Sequence, residues 1–170
     1  VRRRAASLAL FPGSFDPITN GHLDIVHRSL SVFDEVIVAI LVNRDKNPLF
    51  TVEERVAIIR QAFDRQKRVR VDTFEGLLVD YAARVRSSVI IRGLRAISDF
   101  EYEFQMALMN RRLSPKVETV FMMPAEQYSY LSSRLVKEVF DLGGSVEGLV
   151  PELVVRRLVE KQARSRGGPS

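Results

Sequence analysis

Leu8-Ala9-Leu10-Phe11-Pro12-Gly13-Ser14-Phe15-Asp16-Pro17-Ile18-Thr19-Asn20-Gly21-His22 is the stretch from which the fold can be read. The apolar run Ser7–Phe11 predicts a strand, and a loop carrying Pro12, Gly13 and Ser14 follows it. From Gly21 the apolar spacing changes, with Leu23, Val26, His27 and Leu30 near one face of a helix over Gly21–Val32. A strand that empties through a glycine-bearing loop into a helix start is the opening of a βαβ unit.

Outward from this stretch the alternation repeats. Glu35–Val42 predicts a buried strand whose near-continuous apolar run suits a parallel sheet. Thr51–Phe63 predicts a helix opened by a capping box, in which Glu54 reaches back to Thr51. Arg68–Thr73, Ser88–Arg92 and Glu118–Met123 predict strands. Leu77–Arg86, Asp99–Leu113 and Ser132–Phe140 predict helices, the last stopped by Gly143-Gly144. A final helix starts near Pro151, a residue favoured at the first helical position, and frays over Arg164–Ser170. Residues 1–6 are expected to be a flexible end too. The sum is one α/β domain over 1–170, a Rossmann-like doubly wound parallel sheet with helices on both faces. Ligands in such sheets bind at the carboxyl ends of the strands, near the switch in strand order. Ligand-binding residues are therefore expected after Phe11, Val42, Thr73, Arg92 and Met123.

Composition narrows the function. Of 170 residues 46% are hydrophobic and 28% charged, as in ordinary globular domains. No cysteine is present, which excludes thiol catalysis, cysteine zinc sites and disulfides, and fits the cytoplasm. The longest apolar run, Val36–Val42, is far short of the ~20 residues of a membrane helix. Arg2, Arg3 and Arg4 precede too short an apolar stretch to match a secretory leader. A net charge of +5 invites a nucleic-acid partner, but without residues 1–4 and 156–170 the chain has 18 basic and 20 acidic residues. The basicity belongs to the tails, so neither a nucleic-acid nor a membrane partner is expected.

Four segments at the expected strand ends carry chemistry. Gly13 lets backbone approach a ligand, Ser14 supplies a hydroxyl, and Gly21-His22 opens a helix whose start favours anions. His27, further along, reads as structural. Lys46 follows the second strand, as a loop lysine that is either solvated or a point charge on phosphate. Arg92 and Arg95 flank Gly93 after the fourth. Their guanidinium forks suit phosphate; the alternative is a structural ion pair with Asp99, Glu101 or Glu103. Ser132 and Ser133 begin a helix, where capping is the default and phosphate binding is compatible with it.

Thr19-Asn20-Gly21-His22, together with Ile91-Arg92-Gly93-Leu94-Arg95, Asp99-Phe100-Glu101-Tyr102-Glu103 and Met109-Asn110-Arg111, resembles the phosphopantetheine adenylyltransferase family of the nucleotidyltransferase superfamily. The likeness runs from about Leu8 to Val154. It implies adenylyl transfer from ATP, with Mg²⁺, to 4′-phosphopantetheine, giving dephospho-coenzyme A and pyrophosphate by direct in-line attack. It also implies residue roles. Ser14 contacts and orients the acceptor, His22 contacts the α-phosphate, and Lys46 and Arg92 handle phosphates of the reacting groups. The backbone at Leu78 meets the pantetheine arm. Ser14, Phe15, His22, Gly93, Leu94, Arg95 and Glu103 fall on ATP-binding positions, as does the segment Tyr128, Ser129, Tyr130, Leu131, Ser132, Ser133, Arg134. The family usually has a third serine where this chain has Arg134. No residue is assigned as a metal ligand. A homohexamer and feedback inhibition by coenzyme A are further implications of the resemblance. On this reading His22→Ala removes most of kcat with little loss of folding. The competing readings are a relative with nicotinamide mononucleotide or glycerol phosphate as acceptor, a non-catalytic nucleotide-binding regulator, and a nucleic-acid module.

Overall fold

The chain alternates strand and helix: β1 (Leu8–Gly13), α1 (Asn20–Ser29), β2 (Glu35–Leu41), α2 (Val52–Ala62), β3 (Val69–Phe74), α3 (Leu78–Arg84), β4 (Val89–Gly93), α4 (Ile97–Leu113) and β5 (Glu118–Met122). A 3-10 turn at Glu126–Tyr128, then α5 (Ser133–Asp141) and α6 (Glu152–Arg166), complete it. This is a computed structural model that describes residues 7–42, 48–95 and 97–166. Lys46, the expected flexible end 1–6 and the last four residues of the expected fray, 167–170, lie outside the described residues.

The strands form one sheet in the order β3-β2-β1-β4-β5, with every pair parallel. From β1 the chain first winds outward through β2 and β3, then returns to the other side of β1 for β4 and β5. The switch in order therefore lies between β1 and β4, and their carboxyl ends leave a crevice there.

Alternation along the central strands explains the two covered faces. Ala9, Phe11, Val36, Val38, Ile40 and Ile91 point into one core, packed under Ile25 and Val26 of α1, Ile58 and Ile59 of α2, Val136 of α5 and Leu158 of α6. Leu10, Ile37, Ala39 and Ile90 point into the other, against Tyr81 and Ala82 of α3. Burying each such side chain is worth about 1.5–3 kcal/mol, which makes β1 and β2 the least movable parts of the molecule.

Boundaries differ from the sequence expectation where local bonding wins. β1 continues through Pro12 and Gly13, which stay in register with Ala39 and Ile40. α1 ends at Ser29, short of the expected Val32. The Ser29 hydroxyl donates back to the Ile25 carbonyl at 2.7 Å, and the N–H groups of Ser31 and Val32 close tighter turns onto Arg28 and Ser29. α6 stays helical to Arg166, into the stretch expected to fray.

Candidate active site

A cavity of about 290 Å³ sits over the carboxyl ends of β1 and β4. Its lining includes Ser14, Phe15, His22, Arg92, Gly93, Arg95, Glu103, Tyr128, Leu131, Ser132, Ser133 and Arg134, so most of the residues singled out from sequence meet in one place. Leu94, Ser129, Tyr130 and Leu78 do not line it. The Leu94 N–H prolongs the pairing of β4 with β5 by donating to the Met122 carbonyl, and Tyr130 is exposed. Leu78 starts α3 and packs against the second core, at the β3 side of the sheet.

His22 is held by its own helix start. Thr19 is the N-cap of α1, and its hydroxyl accepts from the His22 N–H. The Thr19 N–H in turn donates to Nδ1 of His22 at 3.0 Å. Thr19-Asn20-Gly21-His22 is thus a capping box with imidazole in the place usually taken by Glu or Gln. A ring whose Nδ1 accepts carries its proton on Nε2 when neutral. Burial, with the charges of Arg95 and Arg92, lowers the His22 pKa from 6.5 to about 3. One edge of the ring faces the cavity. His22 presents a neutral N–H donor at physiological pH.

The loop before it is tightly determined. Phe15 is buried in a left-handed conformation, φ 48°, and its ring packs edge-on against His22 and Phe11 at centroid distances of 5.1 and 5.4 Å. A Cβ on Gly13 would come within 2.9 Å of that ring. The Phe15 side chain therefore also asks for a glycine at position 13, which lines the cavity where the sequence expects close approach of a ligand.

The ion-pair alternative for Arg92 is realised. Its Nε and Nη2 donate to the two carboxylate oxygens of Glu103 at 2.7 and 2.5 Å, and Nη1 donates to the Pro12 carbonyl at 2.9 Å. A guanidinium has five N–H groups, so two remain for a ligand, now fixed in direction. Arg95 donates to the Leu131 carbonyl at 3.1 Å. Both serine hydroxyls have internal tasks: Ser132 accepts from the Leu135 N–H as N-cap of α5, and Ser133 donates to the Pro17 carbonyl at 2.7 Å. What that segment offers an anion is the N-terminus of α5. Arg134 is exposed and pairs with Glu138. His27, as expected, has a structural place, edge-on to Phe63.

Three residues at the back of the site, Asp16, Lys137 and Arg55, were not legible as such from the sequence. Asp16 is buried and accepts from the N–H groups of Leu49 and Phe50, both at 2.8 Å, and from Lys137 Nζ at 3.3 Å. Arg55 of α2 is buried and donates from Nη1 to the Ser14 carbonyl at 2.7 Å. A signal for Arg55 exists: it stands on the apolar stripe with Ile58, Ile59 and Ala62, where a charge is out of place.

Comparisons with known proteins concern the chain as a whole. A cytidylyltransferase-like family model matches residues 10–139. A phosphopantetheine adenylyltransferase of Syntrophus aciditrophicus is 58% identical, over 91% of this chain and 93% of that protein. One from Geobacter metallireducens is 57% identical, over 94% and 98%. One from Caldanaerobacter subterraneus subsp. tengcongensis is 51% identical, over 93% and 99%. Among solved structures, the lipopolysaccharide core biosynthesis protein of Thermoplasma volcanium superposes with a TM-score of 0.53 at 21% identity, over 70% of this chain and 98% of that one, a likeness of fold.

Proposed function

This chain belongs to the cytidylyltransferase-like family and, within it, to the phosphopantetheine adenylyltransferases, and from that premise we propose how its own residues carry out the transfer. The enzyme is a nucleotidyltransferase that moves the adenylyl group of ATP onto 4′-phosphopantetheine, giving dephospho-coenzyme A and pyrophosphate in coenzyme A biosynthesis. An oxygen of the acceptor phosphate attacks the α-phosphorus in line. The bond from that phosphorus to the β-bridging oxygen breaks, and pyrophosphate leaves on the far side. The acceptor is already an anion, so no protein nucleophile and no covalent intermediate are used.

Two anions must be brought together, so the site's task is orientation and charge. The observation that carries the assignment is His22: a neutral Nε2–H donor fixed by Thr19 and flanked by Arg92 and Arg95. It donates to an oxygen of the α-phosphate as charge builds there. Arg92, aimed by Glu103, and Lys46 take the phosphates of the reacting groups. Glu103 serves ATP through Arg92, since both its oxygens are spent there. Ser14 orients the acceptor. Leu78 places the pantetheine arm toward β3, about 10 Å from β1 at the usual strand spacing. Gly93, Leu94, Arg95, Phe15 and Tyr128–Ser133 surround the nucleotide, with the α5 N-terminus and Arg134 at the triphosphate. A nucleotidyltransferase acting on ATP generally uses a divalent metal; Mg²⁺ would be held here mainly by the nucleotide's phosphates and by water, and would supply charge neutralisation beside Arg92 and Arg95.

Coenzyme A keeps the adenylate and pantetheine parts of the product, so it competes for the same cavity as a feedback inhibitor. The cytoplasm is its compartment, in keeping with a cysteine-free chain. The enzyme is a homohexamer, and α4 offers the contact. Tyr102, Phe104, Met106, Leu108 and Met109 are exposed along it, and apolar side chains gathered at a surface favour contact with a second copy. Light scattering of the parent and of a Tyr102→Glu/Met109→Glu variant checks this: a hexamer that dissociates supports it, and a monomeric parent contradicts it.

The reaction is tested by pyrophosphate release from Mg-ATP with 4′-phosphopantetheine, nicotinamide mononucleotide or glycerol phosphate. Release with the first alone is expected. Release only with another acceptor overturns the acceptor assignment and keeps the His22 chemistry. No release with any of them overturns both.

A further inference from the structure

Arg55 has no part in the phosphate chemistry, yet it is 4% exposed and charged. A guanidinium taken out of water is costly unless its hydrogen bonds do something the fold needs. Its bonds go to carbonyl oxygens: Nη1 to Ser14 at 2.7 Å and Nε to Thr51 at 3.3 Å. The first of these holds the peptide that joins Ser14 to Phe15. Phe15 is a bulky residue at φ 48°, a conformation such residues rarely adopt. Backbone in a sparsely populated region persists only when its surroundings over-determine it. Here the fixings stand on both sides. Arg55 grips the residue before. The residue after, Asp16, is bound by Leu49, Phe50 and Lys137, and Pro17 by Ser133. Between them the Phe15 ring is driven against His22 at 5.1 Å, and Ser14 is turned out into the cavity.

We propose that Arg55 is a positioning residue for adenylyl transfer: from α2 it clamps the Ser14–Phe15 peptide in its left-handed turn, and so sets both the Ser14 hydroxyl and the ring that walls His22. This rests on the assignment of Ser14 to the acceptor and His22 to ATP. A misplacement of about 1 Å at a reacting group can cost ~10²-fold in rate, so a small relaxation of the turn is enough to be measured.

The test uses the full chain and the variants Arg55→Met, which keeps the apolar stem, and Arg55→Lys, which keeps the charge but loses the fork. Arg55→Met is expected to lower kcat by about 10- to 100-fold. The KM for 4′-phosphopantetheine should rise, and the KM for ATP should stay within about threefold. Arg55→Lys should recover part of the loss. A readout that a merely structural role would not move is the His22 ring in NMR, with His27 as internal reference. Arg92 and Arg95 face His22 in the cavity and Thr19 bonds its Nδ1, and these are unchanged in the variants. When Phe15 lifts away and water enters, the His22 titration should move up from its low value toward 6.5. If Arg55→Met does not fold, Arg55→Lys is read by the same criteria. A folded variant with parent kinetics for both substrates and an unmoved His22 titration overturns the clamp. Ser14→Ala in the parent separates the two ideas. Parent-like acceptor kinetics there, with a shifted His22 in Arg55→Met, sinks the Ser14 role and keeps the clamp. A slow Ser14→Ala beside a parent-like Arg55→Met does the reverse.

Discussion

α1 and α2 start in the same way and end with different work. In α1 Thr19 and His22 exchange bonds of 3.3 and 3.0 Å; in α2 Thr51 and Glu54 exchange bonds of 3.2 and 2.8 Å. Both are capping boxes at the carboxyl side of a strand. Glu54 spends its carboxylate twice at the surface, on the Thr51 N–H and on Lys161 at 2.9 Å. His22 divides its tasks between two nitrogens: Nδ1 closes the cap, and Nε2–H is left for the cavity. The comparison teaches that an imidazole in a cap is a device for setting a tautomer. The helix start that makes α1 begin at Asn20 also decides which nitrogen of His22 is left for the cavity.

Breaking the α1 box should have the largest effect. His22→Ala removes the donor and the ring's half of the box, the acceptor of the Thr19 N–H, and kcat should fall by about 10²–10³. Stability should fall by about 1 kcal/mol, because the Thr19 N–H loses its acceptor; the sequence alone suggested little loss. His22→Gln sharpens the point, since Gln is at home in a capping box. It should restore the melting temperature while kcat stays depressed. Equal recovery of stability and rate would mean that the cap, not the donor, was the source of both.

Loosening Arg92 comes next. Glu103→Gln leaves the guanidinium with one good acceptor in place of two, and kcat/KM for ATP should drop about tenfold, the worth of one charge-assisted hydrogen bond. An unchanged value would show that Arg92 is held without Glu103.

Acid should then separate the two boxes. The His22 pKa is lowered on folding, from 6.5 to about 3, so the unfolded chain binds more protons between those values. Stability therefore falls as pH drops below 6.5, and His22→Gln should flatten that slope between pH 6.5 and 4.5 in urea titrations. The Glu54 carboxyl is partly buried, which opposes ionisation, but its bonds to Lys161 and the Thr51 N–H prevail and lower its pKa. Its contribution is present above the ordinary carboxylate range and lost below it, so Glu54→Gln should leave the slope above pH 5 unchanged.

The smallest effect is expected from the α2 cap itself. Thr51→Ala should cost about 0.5–2 kcal/mol by thermal unfolding, with kcat within about twofold of the parent. A large kcat loss there would tie the α2 start to the chemistry more directly than its surface position suggests.

Much of this was legible in the sequence. The strand–loop–helix rhythm from Leu8 to Met122 gives the parallel sheet, because buried strands and capped helices leave strong local patterns. The residues that face the cavity were legible as well, since they sit just past strand ends. What stayed hidden depends on contacts between distant segments. Gly13 answers to the Phe15 ring and Asp16 to the segment before α2, more than thirty residues away, while for Arg92 the sequence offered Asp99, Glu101 or Glu103 and the fold selects Glu103. Ser132 and Ser133 show the same limit: their hydroxyls read equally well as caps or ligands until Leu135 N–H and the Pro17 carbonyl are placed beside them.

The most direct test of the account is ¹⁵N NMR of the enzyme labelled at histidine, recorded from pH 8 to pH 5. His22 is predicted to remain a neutral ring with the proton on Nε2 and a bare, hydrogen-bonded Nδ1 over that whole range. An imidazolium forming near pH 6.5, or a proton resident on Nδ1, would contradict it and take the neutral-donor role away from His22.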